Sequence, residues 1–513
     1  MQKQYNIWQK YGMMITRIGV GSCMKKMFKL SSTKKVLTIV VNKLKKNKKK
    51  IVIGLSVFLI VFISVFSFIN LRYPTKINAY IAHVVNKGEP ANSYFDDEVF
   101  YKAIVDSYNK ENKTSLPYTT NLTDEQLKSI KSIYYSGSNK SDSEKIRSAK
   151  GIEKLINLER LDLGPQAGST FSENSNLIKK IDLSSNSKLK VIDLTCNNIN
   201  NIVLGNNIAL KGLYLGFNNI SNIDLSKNTS LIYLSLDRNN LSNIDLSNNT
   251  TLTNLNLDYN KISSIDLSKN MSLTVLDLGY NDINNINLSY NTSLTELYLY
   301  HNNLSNIDLS KNIALKNLIL GGNKISSIDL NNNTSLTELS LSNNNISNID
   351  LSQNTALTRL HLNKNSLSNI DLSKYTTLTE LGLSNNNLSN IDLSNNTSLT
   401  ELDLSNNNLS NIDLSNNTFL KYLYLNSNNL SNIDLSKNIK LTYMKLDNND
   451  LSSIKLYDNF DISKLKDAIK NQNTYQTNLD LGSNRIINLT KDYKYYFSKK
   501  IIIPSEEGKN AKV

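Results

Sequence analysis

Leu399–Phe419 reads LTELDLSNNNLSNIDLSNNTF, and this 21-residue pattern runs thirteen times in register from Leu189 to Asp461. The first position is Leu in every copy, from Leu189 through Leu294 to Leu441, and the sixth is Leu from Leu194 to Leu446. The ninth is always Asn, the fourteenth always Ile and the sixteenth always Leu; the nineteenth is Asn except at Tyr375. The fourth is Ile, Leu or Met and the eleventh Leu or Ile. Side chains alternate along a strand, so positions four and six point the same way from a short strand. The Leu and Ile at one, eleven, fourteen and sixteen complete a narrow core that one coil cannot bury alone, so coils must stack. Where the chain turns away from the strand, at position nine, buried backbone groups need partners. An Asn amide brings donors and an acceptor, and stacked amides form a ladder. The nineteenth Asn is expected to do the same on the opposite turn. No proline interrupts the array.

L-x-x-L-x-L-x-x-N-x-[LI] is the leucine-rich-repeat pattern. The fold class it predicts is a solenoid with a parallel β-sheet on its concave face, a small helical N-terminal cap and one N-terminal transmembrane helix. Thirteen coils at the strand spacing give a rod or shallow arc roughly 60 Å long. Strict apolar periodicity rules out a disordered Asn-rich tract. Before the array, Asp96–Asn109 places Val99, Ala103, Ile104 and Tyr108 at helical spacing, and Thr123–Gln126 is a capping-box pattern opening a second helix with Leu127 and Ile130 inward. Leu158, Leu161 and Leu163 begin a longer first coil, closed by Asn176, Ile181, Leu183 and Asn186, with Gly164–Glu173 bulging out. After the array, Ser463–Lys470 suggests a short helix, and Asp480–Leu489 echoes a repeat.

A helical cap, then KGIEKLINLERLDL (Lys150–Leu163), then short repeats with a second L-S-x-N half resembles the internalins, surface proteins of Gram-positive bacteria, and most of all the internalin J type with its 21-residue repeats. The resemblance covers Phe95 to Asp461. It implies surface display, adhesion and binding of a host or other partner, and fixes no ligand. That type tends to carry Cys at the seventh position; here stand Thr195, Asp237, Gly279, Ser342 and Ser405, and Cys196 is at the eighth. No L-P-x-T-G sorting signal precedes the terminal EEGKNAKV, so attachment through the N-terminal helix is expected to replace wall attachment.

The chain has 513 residues and a formal net charge of +14, yet residues 1–50 carry fourteen Lys/Arg and no acid, and the remainder is balanced. A basic total therefore gives no support to nucleic-acid binding. Residues 51–69 form an uncharged apolar run, long enough as a helix to match the hydrocarbon thickness, directly after KLKKNKKK. The lysines place that end in the cytoplasm and the repeats outside. A cleaved signal peptide is the competing reading; against it, the apolar core is longer than a signal needs and the flank offers only a poor site at Ala79. Met24 or Met27 would serve as starts as well as Met1. The expected domains are a basic cytoplasmic segment 1–50, a signal-anchor 51–69 in the lipid bilayer, a linker 70–94, the cap 95–157, the solenoid 158–461 and a C-terminal cap and tail 462–513.

Positions three, five, seven and eight face outward from the sheet and vary while the framework does not. They supply the expected ligand-binding face: Tyr214, Phe217, Tyr233, Arg238 and Tyr259, then Tyr280, Tyr298, Tyr300 and His301. Arg359 and His361 follow in the middle coils, and Tyr422, Tyr424 and Tyr443 in the last ones. Tyr and Arg dominate many interfaces, although tyrosines on adjacent strands also stabilise a sheet by stacking. Position fifteen is Asp in ten coils, Asp224 and Asp434 among them. One carboxylate per coil lacks the oxygens a calcium ion needs, so a hydrogen bond to Ser at seventeen or a pair with Lys at eighteen is expected instead. Two cysteines and three histidines leave little for metal or acid–base chemistry, no phosphate loop or nucleophile motif appears, and His301 and His361 lie three coils apart. The reading is a non-enzymatic extracellular binding protein that holds a protein ligand, without cofactor or metal. The alternative is a cell-envelope structural protein that contacts wall glycan.

Overall fold

The structure is a computed structural model and describes residues 94–165 and 175–457, together with the backbone of four later strands. The expected membrane segment 51–69, the bulge tip and the short helix at Ser463–Lys470 lie outside these residues. Among the described residues no helix is long and apolar enough to cross a membrane.

Fifteen parallel strands form one sheet. Thirteen belong to the repeats, from Val191–Asp193 to Tyr443–Lys445, and each spans positions three to five of its coil. Arg160–Asp162 is the strand of the longer first coil and pairs with Val191–Asp193. An unforeseen strand, Ser132–Tyr134, pairs with it in turn and extends the sheet toward the N-terminus. A regular shift of 21 residues sets every register inside the array, as in Glu296↔Asn317 and Arg359↔Glu380.

One contiguous core runs from Phe95 to Leu456. Positions one, four, six, eleven and sixteen are buried in coil after coil, for example Leu294, Leu297, Leu299, Leu304 and Leu309. Position fourteen is less central than the repeat suggested: Ile244, Ile307 and Ile391 are only partly buried. Each fully buried Leu contributes about 1.5–3 kcal/mol by leaving water, so a coil without neighbours to cover it would lose most of its stabilisation.

The ninth-position asparagines form the expected ladder. Asn218 Oδ1 accepts the Ile199 N–H of the preceding coil at 2.8 Å, and its Nδ2 donates to Leu194 O and Leu215 O, each at 3.0 Å. The nineteenth-position ladder is only half of this. Asn249 Nδ2 donates to Leu225 O at 3.1 Å and Asn228 O at 2.9 Å, while its buried Oδ1 meets no protein donor. In the first and last coils, positions thirteen to fifteen or sixteen also become strand: Lys180–Asp182 pairs with Asn201–Val203, and Asn432–Leu435 with Ser453–Leu456.

At the N-terminal end, α1 (Glu98–Asn112) starts at Asp97, whose Oδ1 accepts from Val99 N and Phe100 N. It begins two residues later and ends three later than the spacing suggested, and buries Phe100, Tyr101, Ala103, Ile104 and Val105. Val99 and Tyr108 are only partly covered. The capping box at Thr123 and Gln126 opens α2 (Asp124–Ser129), with Leu127 and Ile130 buried. At the other end, Gln476–Asp480 joins Ser453–Leu456 in parallel, and Ile486–Thr490 returns antiparallel to it. Asp480–Leu489 thus runs from the end of one strand into its antiparallel neighbour and is not a further coil.

Candidate binding face

Within each repeat strand, position four turns into the core and positions three and five face out. The strand ends at five, so seven and eight do not lie on it as the alternation suggested. They form the turn at the sheet's C-terminal edge. Position eight is left-handed in every coil, from Cys196 at φ 55° through Tyr280 at 47° to Asn448 at 56°. Sequence reasoning missed this, although the signal was present: Gly322, Asn343, Asn385, Asn406 and Asn448 stand there in the later coils, and Gly and Asn are the residues that enter this conformation most readily.

Of the first cluster of expected site residues, Phe217, Arg238, Tyr259, Tyr280 and His301 come together as a stack. Arg238 lies over the Phe217 ring at 5.0 Å and the Tyr259 ring at 3.7 Å. Tyr259 stacks on Tyr280 at 4.0 Å, and Tyr280 stacks on His301 at 4.2 Å. Tyr300, one position earlier, meets Tyr280 edge-on at 5.4 Å. Its ring lies over the Gly279 backbone, where a Cβ would collide with it. Its hydroxyl donates to Asp258 Oδ2 at 3.2 Å. Tyr298 donates to Glu296 Oε2 at 2.8 Å, and burial, with that carboxylate beside it, pushes the phenol up to about 12. Tyr233 is exposed and Tyr214 half-buried. Tyr422 and Tyr443 are exposed at the far end, where Tyr443 tilts against Tyr424 at 5.4 Å. In the middle coils Arg359 pairs with Glu338, and His361 Nε2 lies 3.8 Å from Glu380.

Acids at positions five and seven were not picked out from the sequence. Burial pushes the Asp277 carboxyl up to about 7, opposed by the Gly279 N–H and reinforced by Asp258 and Asp237. Burial raises Asp258 as well, with Asp237 adding and Tyr300 and Arg238 opposing. Cys196 is buried and its thiol is pushed up to about 11, chiefly by burial, so it is a packing residue and a poor nucleophile.

The outer-turn aspartates close their own turns. Asp224 Oδ1 accepts the Ser226 N–H at 2.9 Å, and the same bond recurs at Asp308 and Asp434. Serine at seventeen is the partner, as expected. The ion pair seen is with the next coil, Lys455 Nζ to Asp434 Oδ2 at 3.0 Å, and not with Lys at eighteen.

The leucine-rich-repeat family model matches residues 185–202, 248–268, 269–286, 332–352, 395–415 and 416–437. Among solved structures, the functional domain of InlJ from Listeria monocytogenes is 26% identical over 82% of this chain and 96% of its own, with a TM-score of 0.63. The chain is an internalin-like leucine-rich-repeat protein. InlF, an internalin from the same organism, is 29% identical over 71% of this chain and 97% of its own, with a TM-score of 0.52. The Leptospira interrogans leucine-rich-repeat protein LIC12759 shares the fold at 23% identity over 60% of this chain and 88% of its own, TM-score 0.53. A comparison with curated proteins gave no match. The InlJ domain is described as including a cysteine ladder. This internalin-like array has one cysteine, and its side-chain ladder is built from rings and a guanidinium. Leucine-rich-repeat proteins of the internalin type are adhesion or protein-interaction scaffolds.

Proposed function

We propose that this protein is displayed outside a bacterial cell and holds a protein ligand on the concave sheet face, with residues 51–69 anchoring it in the membrane. The observation that carries the binding reading is the row of outward Tyr and Arg side chains on a rigid, regularly registered sheet. Counting the repeat that begins at Leu189 as coil one, Tyr214, Tyr233 and Tyr298 on the sheet and Tyr300 at its edge span coils two to six, about 20 Å at the strand spacing, a width that suits one protein footprint. Phenol rings offer contact area at low entropic cost. The anchoring reading is supported by the step from Lys50 to an uncharged run at Ile51, and outside display by the likeness to the Listeria proteins.

Replacing Tyr233 and Tyr298 by Ser is expected to weaken capture of a host-cell surface protein by at least about 2 kcal/mol, with little change in thermal unfolding. Asp329→Ser on the outer turn leaves binding unchanged. Normal binding by the tyrosine variant together with loss in the outer-turn variant moves the site to the opposite face. Capture of purified cell wall in place of any protein favours the structural, glycan-contacting role. Protease added to intact cells should remove the repeats and leave a small membrane-bound stub; protected repeats contradict the topology.

A further inference from the structure

The two halves of the array treat the left-handed eighth position differently. From coil seven onward it is mostly Gly or Asn. In coils two to six it is Phe217, Arg238, Tyr259, Tyr280 and His301, at φ between 47° and 55°. Bulky residues are unfavourable in that conformation, yet five successive coils carry them, and together they build the continuous stack described above. Their outer edges lie beside the sheet face of the same coils. Taking positions three, five, seven and eight of coils one to six, five carboxylates (Asp193, Asp237, Asp258, Asp277 and Glu296) meet one Lys or Arg, Arg238. That guanidinium is held between two rings. Among the described residues, none of the four aspartates forms an ion pair. Farther along the same face the acids have cations in place, as in Arg359 with Glu338.

The geometry points to the sheet face of coils two to six, with the turn along its C-terminal edge, as a docking strip for a Lys- or Arg-bearing protein segment, with its cations over Asp237, Asp258 and Asp277 and its aliphatic stems against Tyr280 and Tyr300. This rests on the concave-face binding reading and names the chemistry of the partner. A cation beside carboxylates and ring faces gains from both charge and cation–π attraction, and Lys and Arg stems cover apolar surface while their charged ends stay hydrated. A stack of rings along the strip's edge holds its width fixed, and a preformed strip costs little ordering on binding.

The test is calorimetric titration of the full chain with a lysine decapeptide, against glutamate and Gly-Ser decapeptides of equal length. The full chain is expected to bind the lysine peptide alone, more weakly as salt rises. Asp237→Asn with Asp258→Asn should lose at least tenfold in affinity. Asn already stands at position seven in Asn363 and Asn426, so the fold accepts it. Tyr259→Asn with Tyr280→Asn, which restores the residue of the later coils, should lose at least fivefold without a lower melting temperature. Asp245→Asn with Asp266→Asn makes the same change of net charge on the outer turn and should lose nothing. Equal loss in the outer-turn variant, undiminished binding in the Asp237/Asp258 variant, or no binding of the lysine peptide by the unaltered chain overturns the proposal. If the natural ligand still depends on Tyr233 and Tyr298 while the lysine peptide does not bind, the concave-face reading stands and the basic partner falls.

Discussion

At Asp277 the carboxylate Oδ1 accepts the Gly279 N–H at 2.9 Å, and one coil earlier Asn256 accepts the Asp258 N–H at 3.0 Å in the same turn. An amide therefore serves this position, and the acid brings a cost with it. Its folded value stands near 7, above the unfolded one near 4. The unfolded chain gives up the proton first, so stability falls as pH rises from about 4 to about 7 and levels off above. Asp277→Asn should raise thermal stability at pH 8 by about 1–3 kcal/mol and leave it nearly unchanged at pH 4. A gain that does not grow with pH contradicts the buried-acid account. A carboxylate kept at a cost to the fold is a common mark of a functional site. The repeat frame was legible in the sequence because Leu, Ile and Asn recur at fixed positions. The aspartates were not, because at variable positions a single Asp looks like any solvated residue until the coils stack and bury it.

Three asparagines in neighbouring coils separate the kinds of work this residue does within the repeat. Asn323 accepts the Leu304 N–H at 3.0 Å and donates to Leu299 O and Leu320 O, each at 2.9 Å. Asn323→Ala strands those groups and should cost about 1–3 kcal/mol. Asn343 is exposed and sits at φ 57°, so Asn343→Ala should cost about 1 kcal/mol through the backbone. Asn345 is exposed, with only its backbone engaged with Ile325, and Asn345→Ala should be near neutral. Urea unfolding midpoints should fall in that order; any other order contradicts the register. Identical letters hide these roles in the sequence. Period and position distinguish ninth from tenth, but the left-handed turn at the eighth shows only once φ is known. The segment after the array was misread for the same kind of reason: its Leu and Asn fall at repeat-like spacing, while Ile486–Thr490 pairs antiparallel with Gln476–Asp480.

Among the described residues the interactions are short-range in coil number. Even the N-terminal helix is tied down locally: Asp97 caps α1 with one oxygen, and with the other accepts Arg147 N at 2.6 Å and Ser148 N at 3.1 Å. In a stack whose members touch only their neighbours, damage stays near where it is made. Asp97→Ala should remove hydrogen-exchange protection from α1 and the first coils while coils seven to thirteen keep theirs. Uniform loss along the array would show a globally cooperative rod. The same arrangement bears on how such a gene can change. From Asn218 onward the inter-coil bonds of the ninth-position ladder join residues 19 or 24 apart, and from Asn207 onward those of the nineteenth-position ladder join residues 21 or 24 apart. Sliding the pattern by one whole repeat reproduces all of them. Unequal recombination between repeats can therefore lengthen or shorten the rod without breaking a bond type. The stacked edge of coils two to six has no such freedom, because its order of rings and guanidinium is written once. Duplication or loss there would spare folding and reorder the proposed docking strip.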